Sequence, residues 1–191
     1  EAKSFMIIHF NDDGATDLAR VGGKAASLGR LSQAGFQVPA GFTVATAAQA
    51  AFFAAHGMAA SIQSLLVGLN YDDAVTLESV TSDIRTLIES KPLPDELVAQ
   101  ITEHYKALGG DVYVAVRSSG TAEDLAGASF AGLHDTYLDV QGIDAVIDAI
   151  RRCWASMWTA RATAYRERGG FDHAINQIAV VIQTMVTSEV S

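Results

Sequence analysis

Apolar residues recur at helical spacing through the middle and the later part of the chain. The pattern predicts helices over residues 73–90, 95–108 and 143–168, the last of which carries a single apolar stripe. Two earlier helices are expected, one opening at Gly22-Gly23 and ending near Gly35, and one in the Ala-rich stretch before His56. The residues 91–94, with two prolines, separate two of these helices, because proline disfavours helix in the residue before it.

Runs rich in β-branched residues predict the strands. Residues 112–116 and 178–182 are continuous apolar runs typical of strands buried on both faces, whereas residues 136–140 alternate. Shorter strands are predicted over 5–10 and 43–46, and turns or loops over 11–14, 39–41 and 118–121. Strands and helices mix without a regular βαβ order, so we predict an α+β fold rather than a doubly wound sheet.

Composition narrows the classes of partner and compartment. The 191 residues are 49% hydrophobic and 18% charged, which is enough apolar material for a core, and the net charge of −9 disfavours nucleic acid and anionic membranes as partners. The one cysteine, Cys153, excludes an internal disulfide and a multi-cysteine zinc site, and we expect it to be buried and inert. It fits a cytoplasmic protein, as does the lack of a visible signal peptide or long apolar span.

The first candidate site is the tripeptide Gly22-Gly23-Lys24. Two glycines allow close backbone approach to a ligand, the helix that follows directs its partial positive charge the same way, and a lysine suits a phosphate. Leu18 and Ala25 stand where a P-loop requires glycine and Ser or Thr, so the segment is not a P-loop. The alternative is an ordinary helix start with a solvated lysine.

The second candidate site begins at Arg117, directly after a predicted buried strand. Its planar guanidinium suits phosphate oxygens, and the serines and threonine of residues 118–121 add hydroxyl donors. Glu123 and Asp124 could bind Mg²⁺ or cap the next turn. The alternative is an arginine paired with these nearby acids in a polar loop.

Other conspicuous side chains are weaker candidates for a functional site. His134 and Asp135 are adjacent, so on a strand they point to opposite faces and do not form a base with its orienting carboxylate. The remaining histidines show no metal-ligand spacing. Helical spacing predicts core positions rather than a stacking platform for four larger side chains, Trp154, Met157, Trp158 and Tyr165.

Taken in order, these motifs resemble the N-terminal ATP-binding domain of the pyruvate, phosphate dikinase and phosphoenolpyruvate synthase superfamily. The resemblance is carried by VGGKAASLG at 21–29, VPAGF at 38–42, VRSSGTAEDL at 116–125, ASFAG at 128–132, CWAS at 153–156, YR at 165–166 and AVVIQTMV at 179–186. Within the superfamily, HDTYL at 134–138 and FDH at 171–173 look most like rifampin phosphotransferase.

The resemblance implies the first part of an ATP-grasp domain that binds Mg²⁺ with ATP. Family members pass the β-phosphate of ATP to a histidine on a separate swivelling domain, and a further domain delivers it to an acceptor, here a rifamycin hydroxyl or, as an alternative, pyruvate. By the same resemblance, Lys24 and Arg117 hold the phosphates, Gly132 and Thr136 lie near the phosphate and nucleotide contacts, and Gln183 lies on the adenine side. No catalytic residue is expected in this chain.

The resemblance also has departures. Gly120 stands where alanine is usual, and Leu133 where glutamine is common. By the same resemblance, residues 1–191 are expected to be the N-terminal portion of the ATP-binding domain, incomplete without a second lobe and without the histidine domain. Such a fragment would bind ATP weakly, since about half of the cleft is missing. A non-catalytic, stand-alone binding fragment is the remaining alternative.

Overall fold

An antiparallel sheet organises the parts of the chain that the computed structural model describes, residues 6–121, 135–170 and 177–186. Its five strands lie in the order β1-β2-β5-β3-β4. Each neighbouring pair is antiparallel. The strands are β1 Ile7–His9, β2 Gly41–Val44, β3 Val114–Gly120, β4 Thr136–Val140 and β5 Ile178–Thr184.

Helices cover both faces of this sheet. They are α1 Leu18–Gln33, α2 Thr46–Ala55, α3 Met58–Leu66, α4 Ala74–Ser90, α5 Asp95–Ala107, α6 Ile143–Ala155 and α7 Ala160–Arg168, with short 3₁₀ turns at Asp13–Thr16 and Ser156–Trp158. Helix α1 packs on one face through a small cluster that includes Val21, Ala25 and Val181. Helices α2–α6 pack on the other face, which holds the larger core.

Alternation along the two central strands assigns residues to these faces. Val114 and Val116 of β3, and Val180 and Ile182 of β5, belong to the larger core, whereas Val181 faces α1. Residues two apart on a strand share a face. The α1 face of β3 therefore carries Ala115, Arg117 and Ser119 and that of β5 carries Ala179, Val181 and Gln183, as the β3–β5 register also requires.

The predicted α+β fold is confirmed, since helices pack on both faces of an antiparallel sheet. The helices α4 and α5 and the strands β4 and β5 lie where the sequence places them. Cys153, Trp154, Met157 and Trp158 are buried as predicted, while Tyr165 is only half-buried.

Several predicted boundaries are wrong. The single helix predicted over 143–168 is two helices separated by a 3₁₀ turn. The Ser156 hydroxyl donates to the Cys153 carbonyl at the end of α6, and the Thr159 hydroxyl accepts from the Ala162 amide as the N-cap of α7. These local side-chain bonds compete with a continuous helix. Helix α3 was not predicted, and β2 begins at Gly41, two residues before the predicted strand.

The predicted end of strand β3 is also wrong. The loop expected over 118–121 is strand as far as Gly120, and Arg117 lies inside the strand rather than after it. Ser119 pairs with Ala179 and Gly120 with Ile178. Pairing with the buried strand β5 satisfies backbone groups that a loop would leave unpaired, so it overrides the turn preference of serine and glycine.

Candidate functional site

Helix α1 is interrupted at Gly22. The first turn begins at Leu18, where the Asp17 carboxylate accepts from the Ala19 amide at 3.0 Å. Gly22 then has φ 73° and ψ 174°, a conformation that essentially only glycine adopts. A new helical segment therefore begins at Gly23, as the sequence predicts, although four helical residues that the sequence does not reveal precede the break.

The interruption lies directly against strand β3. A Cβ on Gly22 would lie 2.5 Å from Ser119 Oγ and closer still to the Ser119 carbonyl oxygen, so no side chain fits at that position. The Ser119 hydroxyl, itself fully buried, accepts a hydrogen bond from the Ala25 amide at 3.1 Å. The backbone on both sides of Lys24 is thus held against β3, on the α1 face of the sheet.

Arg117 lies on the same strand and the same face, two residues before Ser119. Residues so spaced are roughly 7 Å apart along a strand. Arg117 is partly buried and pairs with Val181 of β5 and with Thr136 of β4. The structure therefore brings Lys24 and Arg117 to one side of the sheet, although 93 positions of sequence separate them.

The hydroxyl groups near Arg117 do not act as the sequence suggests. Ser118 donates to the Asp135 carbonyl at 3.2 Å, and Thr121 donates to the Gln177 carbonyl at 3.3 Å. Ser119 is an acceptor. Since these serines are fully buried, they link structural elements instead of facing a ligand as free donors.

Two charged groups, those of Asp135 and Arg152, contact Tyr137 near the start of β4, on the larger-core face of the sheet. The Tyr137 hydroxyl donates to the Asp135 carboxylate at 2.8 Å, and the Arg152 guanidinium lies over the Tyr137 ring at 4.3 Å. Burial, followed by Asp135, raises the pKa of Tyr137 above its ordinary value. No sequence pattern indicates this cluster, because Arg152 reaches the strand from helix α6.

The thiol of Cys153, which follows Arg152 on α6, is buried in the larger core. Burial raises the pKa of the Cys153 thiol, with a smaller contribution from Asp135, whereas the positive charges of Arg152 and Lys24 act to lower it. Thr136, which opposes Arg117 on β4, is exposed.

Gln183 lies on the α1 face of β5, two residues beyond Val181. It is 8% exposed, and its side-chain amide donates to the Pro39 carbonyl at 3.2 Å. Its backbone pairs with Gly41 on one side and Ala115 on the other. Gln183 therefore joins Arg117 and Thr136 on neighbouring strands of one sheet, with its amide nitrogen already bonded.

Some predicted positions lie outside the described residues: Gly132, and with it Glu123, Asp124, Leu133 and His134. In the described ranges, no three His, Cys, Asp or Glu side chains converge as a metal site. No helix among those ranges has the length and apolar character needed to cross a membrane.

A histidine pair that the sequence did not indicate lies away from this site. His9 Nε2 and His104 Nδ1 are 2.9 Å apart and share one hydrogen bond between β1 and α5, beside the Phe42 ring. Burial lowers the pKa of His104, as does the nearby His9, and Glu103 and Asp12 oppose the shift. A separation of 95 residues gives no pattern from which this contact could be predicted.

Comparison with known proteins finds one matching family and several similar relatives. Residues 18–191 match the family described as pyruvate phosphate dikinase, AMP/ATP-binding domain. The chain is 44% identical over 188 residues to a probable phosphoenolpyruvate synthase of Methanothermobacter thermautotrophicus, covering 96% of this chain and 28% of the relative. It is 40% identical over 220 residues to phosphoenolpyruvate synthase of Pyrococcus furiosus, covering 95% of this chain and 27% of the relative. It is also 40% identical over 192 residues to phosphoenolpyruvate synthase of Neisseria meningitidis, covering 96% of this chain and 24% of the relative. The chain spans about a quarter of the length of these relatives.

Proposed function

Because the chain belongs to the pyruvate phosphate dikinase AMP/ATP-binding domain family, we propose that it is the N-terminal part of the ATP site of a phosphoenolpyruvate synthase. Residues 1–191 hold the nucleotide in this proposal. A second lobe and a phosphorylatable histidine domain lie in the remainder of a protein whose relatives are about four times as long. The family's ATP-grasp architecture is part of the proposal.

Lys24 and Arg117 are the proposed phosphate ligands. A chain with a net charge of −9 repels ATP as a whole, so local cations must offset the triphosphate charge. The Arg117 guanidinium can bond two phosphate oxygens at once, and the Lys24 ammonium supplies a compact charge. The helical segment that begins at Gly23 directs its positive end toward the same anion.

Three further residues complete the proposed nucleotide contacts. Thr136, opposite Arg117, offers an exposed hydroxyl to the nucleotide. Gln183 lies on the adenine side, where its bond to the Pro39 carbonyl fixes the orientation of the side chain. Gly132 is assigned by the family resemblance. Mg²⁺ enters as part of the Mg–ATP substrate, and its protein ligand is proposed to come from the second lobe.

Pyruvate is the proposed phosphate acceptor. The relatives described above are named phosphoenolpyruvate synthases, and this favours pyruvate over the rifamycin acceptor that the sequence motifs suggest. The observation that carries the nucleotide assignment is the contact of the Gly22–Ala25 segment with Ser119. This contact supports a site in which Lys24 and Arg117 act on one anion.

The test uses the full-length protein. With ATP and Mg²⁺, we expect phosphoenolpyruvate to form with pyruvate, and no phosphorylated product with rifampicin. Lys24→Met and Arg117→Met should each lower kcat/KM for ATP by about 10- to 100-fold, the range expected for hydrogen bonds to charged groups. Lys106→Met and Arg161→Gln, which remove exposed cations on α5 and α7, should change it by less than about twofold.

The outcomes separate the alternatives. Rifampicin-dependent phosphorylation without phosphoenolpyruvate would replace pyruvate by a rifamycin as the acceptor. Nucleotide binding without phosphorylation of either acceptor would favour a non-catalytic binding protein. Unchanged kinetics in both Lys24→Met and Arg117→Met would reject these residues as phosphate ligands.

A further inference from the structure

The helical segment that carries Lys24 lacks a capping side chain of its own. Gly22 is its last non-helical residue, so Gly22 occupies the N-cap position and Ala25 the third helical position. An N-cap side chain usually accepts a hydrogen bond from the amide of the second or third helical residue. Glycine has no side chain to do so, and the contact with Ser119 leaves no space for one.

Ser119 supplies the missing acceptor from another element. Its hydroxyl accepts the Ala25 amide at 3.1 Å, the same bond that a Ser or Thr at the N-cap would make. Ser119 is fully buried, and its backbone pairs with Ala179 of the central strand β5. The cap is therefore attached to the part of the sheet that also carries Arg117.

We propose that Ser119 is a positioning residue for ATP, which caps the Lys24 helix from strand β3 and so fixes Lys24 relative to Arg117. This inference rests on the proposed function. Ser119 itself does not touch the nucleotide in this account, since its side chain is fully buried against Gly22. Its effect on ATP passes through the backbone on either side of Lys24.

Ser119→Ala tests the inference in the full-length enzyme. The variant leaves a buried amide without its acceptor and loosens the start of the helix. We expect the KM for ATP to rise about tenfold, equivalent to about 1.4 kcal/mol, with the KM for pyruvate unchanged. Ser118→Ala is the matched control, because Ser118 is equally buried but bonds the Asp135 carbonyl on the other face. It should alter the KM for ATP by less than about twofold.

A double-mutant cycle distinguishes positioning from general destabilisation. In a Lys24→Met background, Ser119→Ala should raise the KM for ATP by less than about twofold, since the side chain that it positions is gone. In an Arg117→Met background, Ser119→Ala should keep its tenfold effect, because Lys24 is still present. A structural defect would instead act equally in both backgrounds and on pyruvate.

Each outcome bears on one of the two proposals. The positioning role is overturned if Lys24→Met raises the KM for ATP but Ser119→Ala does not. It is also overturned if Ser119→Ala keeps its full effect on the KM for ATP in the Lys24→Met background. If Lys24→Met itself has no effect, the proposed phosphate site fails, and the inference fails with it. Should Ser119→Ala not fold, Ser119→Cys replaces the hydroxyl by a somewhat larger thiol that accepts hydrogen bonds only weakly, and its KM for ATP must rise in the same direction.

Discussion

Replacing Gly22 by alanine should destabilise the protein far more than a glycine substitution on a surface turn. The variant must place a Cβ on a residue with φ 73° and ψ 174°. It must also fit that Cβ against the Ser119 backbone, which lies on a central strand and cannot move aside as a flexible side chain would. The two costs arise from different physical sources and can be separated.

The structure sets the magnitude of each cost. Holding a non-glycine residue in this backbone region costs about 1–3 kcal/mol. Inserting a methyl group where Ser119 Oγ is 2.5 Å away adds about 1–3 kcal/mol of overpacking. Gly22→Ala should therefore lower the free energy of unfolding by about 2–6 kcal/mol, a large part of a total that is typically about 5–15 kcal/mol.

Urea denaturation measures this loss, with the fluorescence of the buried Trp154 and Trp158 as the probe. Gly35→Ala is the matched control, because Gly35 has φ 84° but no atom of the described residues lies within 4 Å of its Cβ position. It should cost only the backbone strain, about 1–2 kcal/mol. A midpoint for Gly22→Ala equal to or above that of Gly35→Ala would refute the close packing of α1 on β3.

Two further predictions concern ligand binding and pH. Isothermal titration of the 191-residue chain should show ATP binding no tighter than the micromolar range, because the second lobe is absent; a sub-micromolar dissociation constant would contradict this. His104 should make the protein less stable as the pH falls from about 6.5, the ordinary pKa of histidine, through the lower pKa of His104 in the folded state, since the unfolded chain binds the proton more readily. Urea midpoints at pH 7.5 and 5.5 should differ less in His104→Gln than in His56→Gln, and equal differences would count against the histidine pair.

Local sequence patterns predicted the elements whose physics is local. The helix predicted from residue 73 is α4, and its N-cap is Asp73, whose carboxylate accepts from the Val75 and Thr76 amides. Strand β5 is a continuous apolar run and lies where that run predicts. In each case the side chains that define the element are neighbours along the chain.

The break between α6 and α7 is local, but other errors arise where a distant contact decides the structure. Ser118 and Ser119 favour a turn by composition, but pairing with β5 extends the strand through them. Strand β4 contains a bulge that likewise depends on a neighbouring strand. Leu138 and Asp139 together oppose the single residue Ala115, and Asp139 adopts φ 55° in this bulge. No periodicity in the sequence records such a register.

The residues of the candidate site also differ in whether the sequence reveals them. Lys24, Arg117 and Gln183 stand out because their side chains suit a nucleotide and their motifs resemble a family. The role of Ser119 depends instead on a bond across 94 positions of sequence to the Ala25 amide. The chemistry of a ligand contact can be recognised from residue type, whereas the support beneath it depends on the packing of α1 against β3.

The most direct test of the nucleotide site is chemical labelling of Lys24 in the full-length protein. An acyl-phosphate derivative of ATP transfers its acyl group to a lysine amine beside the bound phosphates, and peptide mass spectrometry identifies the residue. The account predicts rapid labelling of Lys24 that excess ATP blocks, with slow, unprotected labelling of the exposed Lys106. Labelling of Lys24 no faster than that of Lys106, with no protection by ATP, would contradict the account.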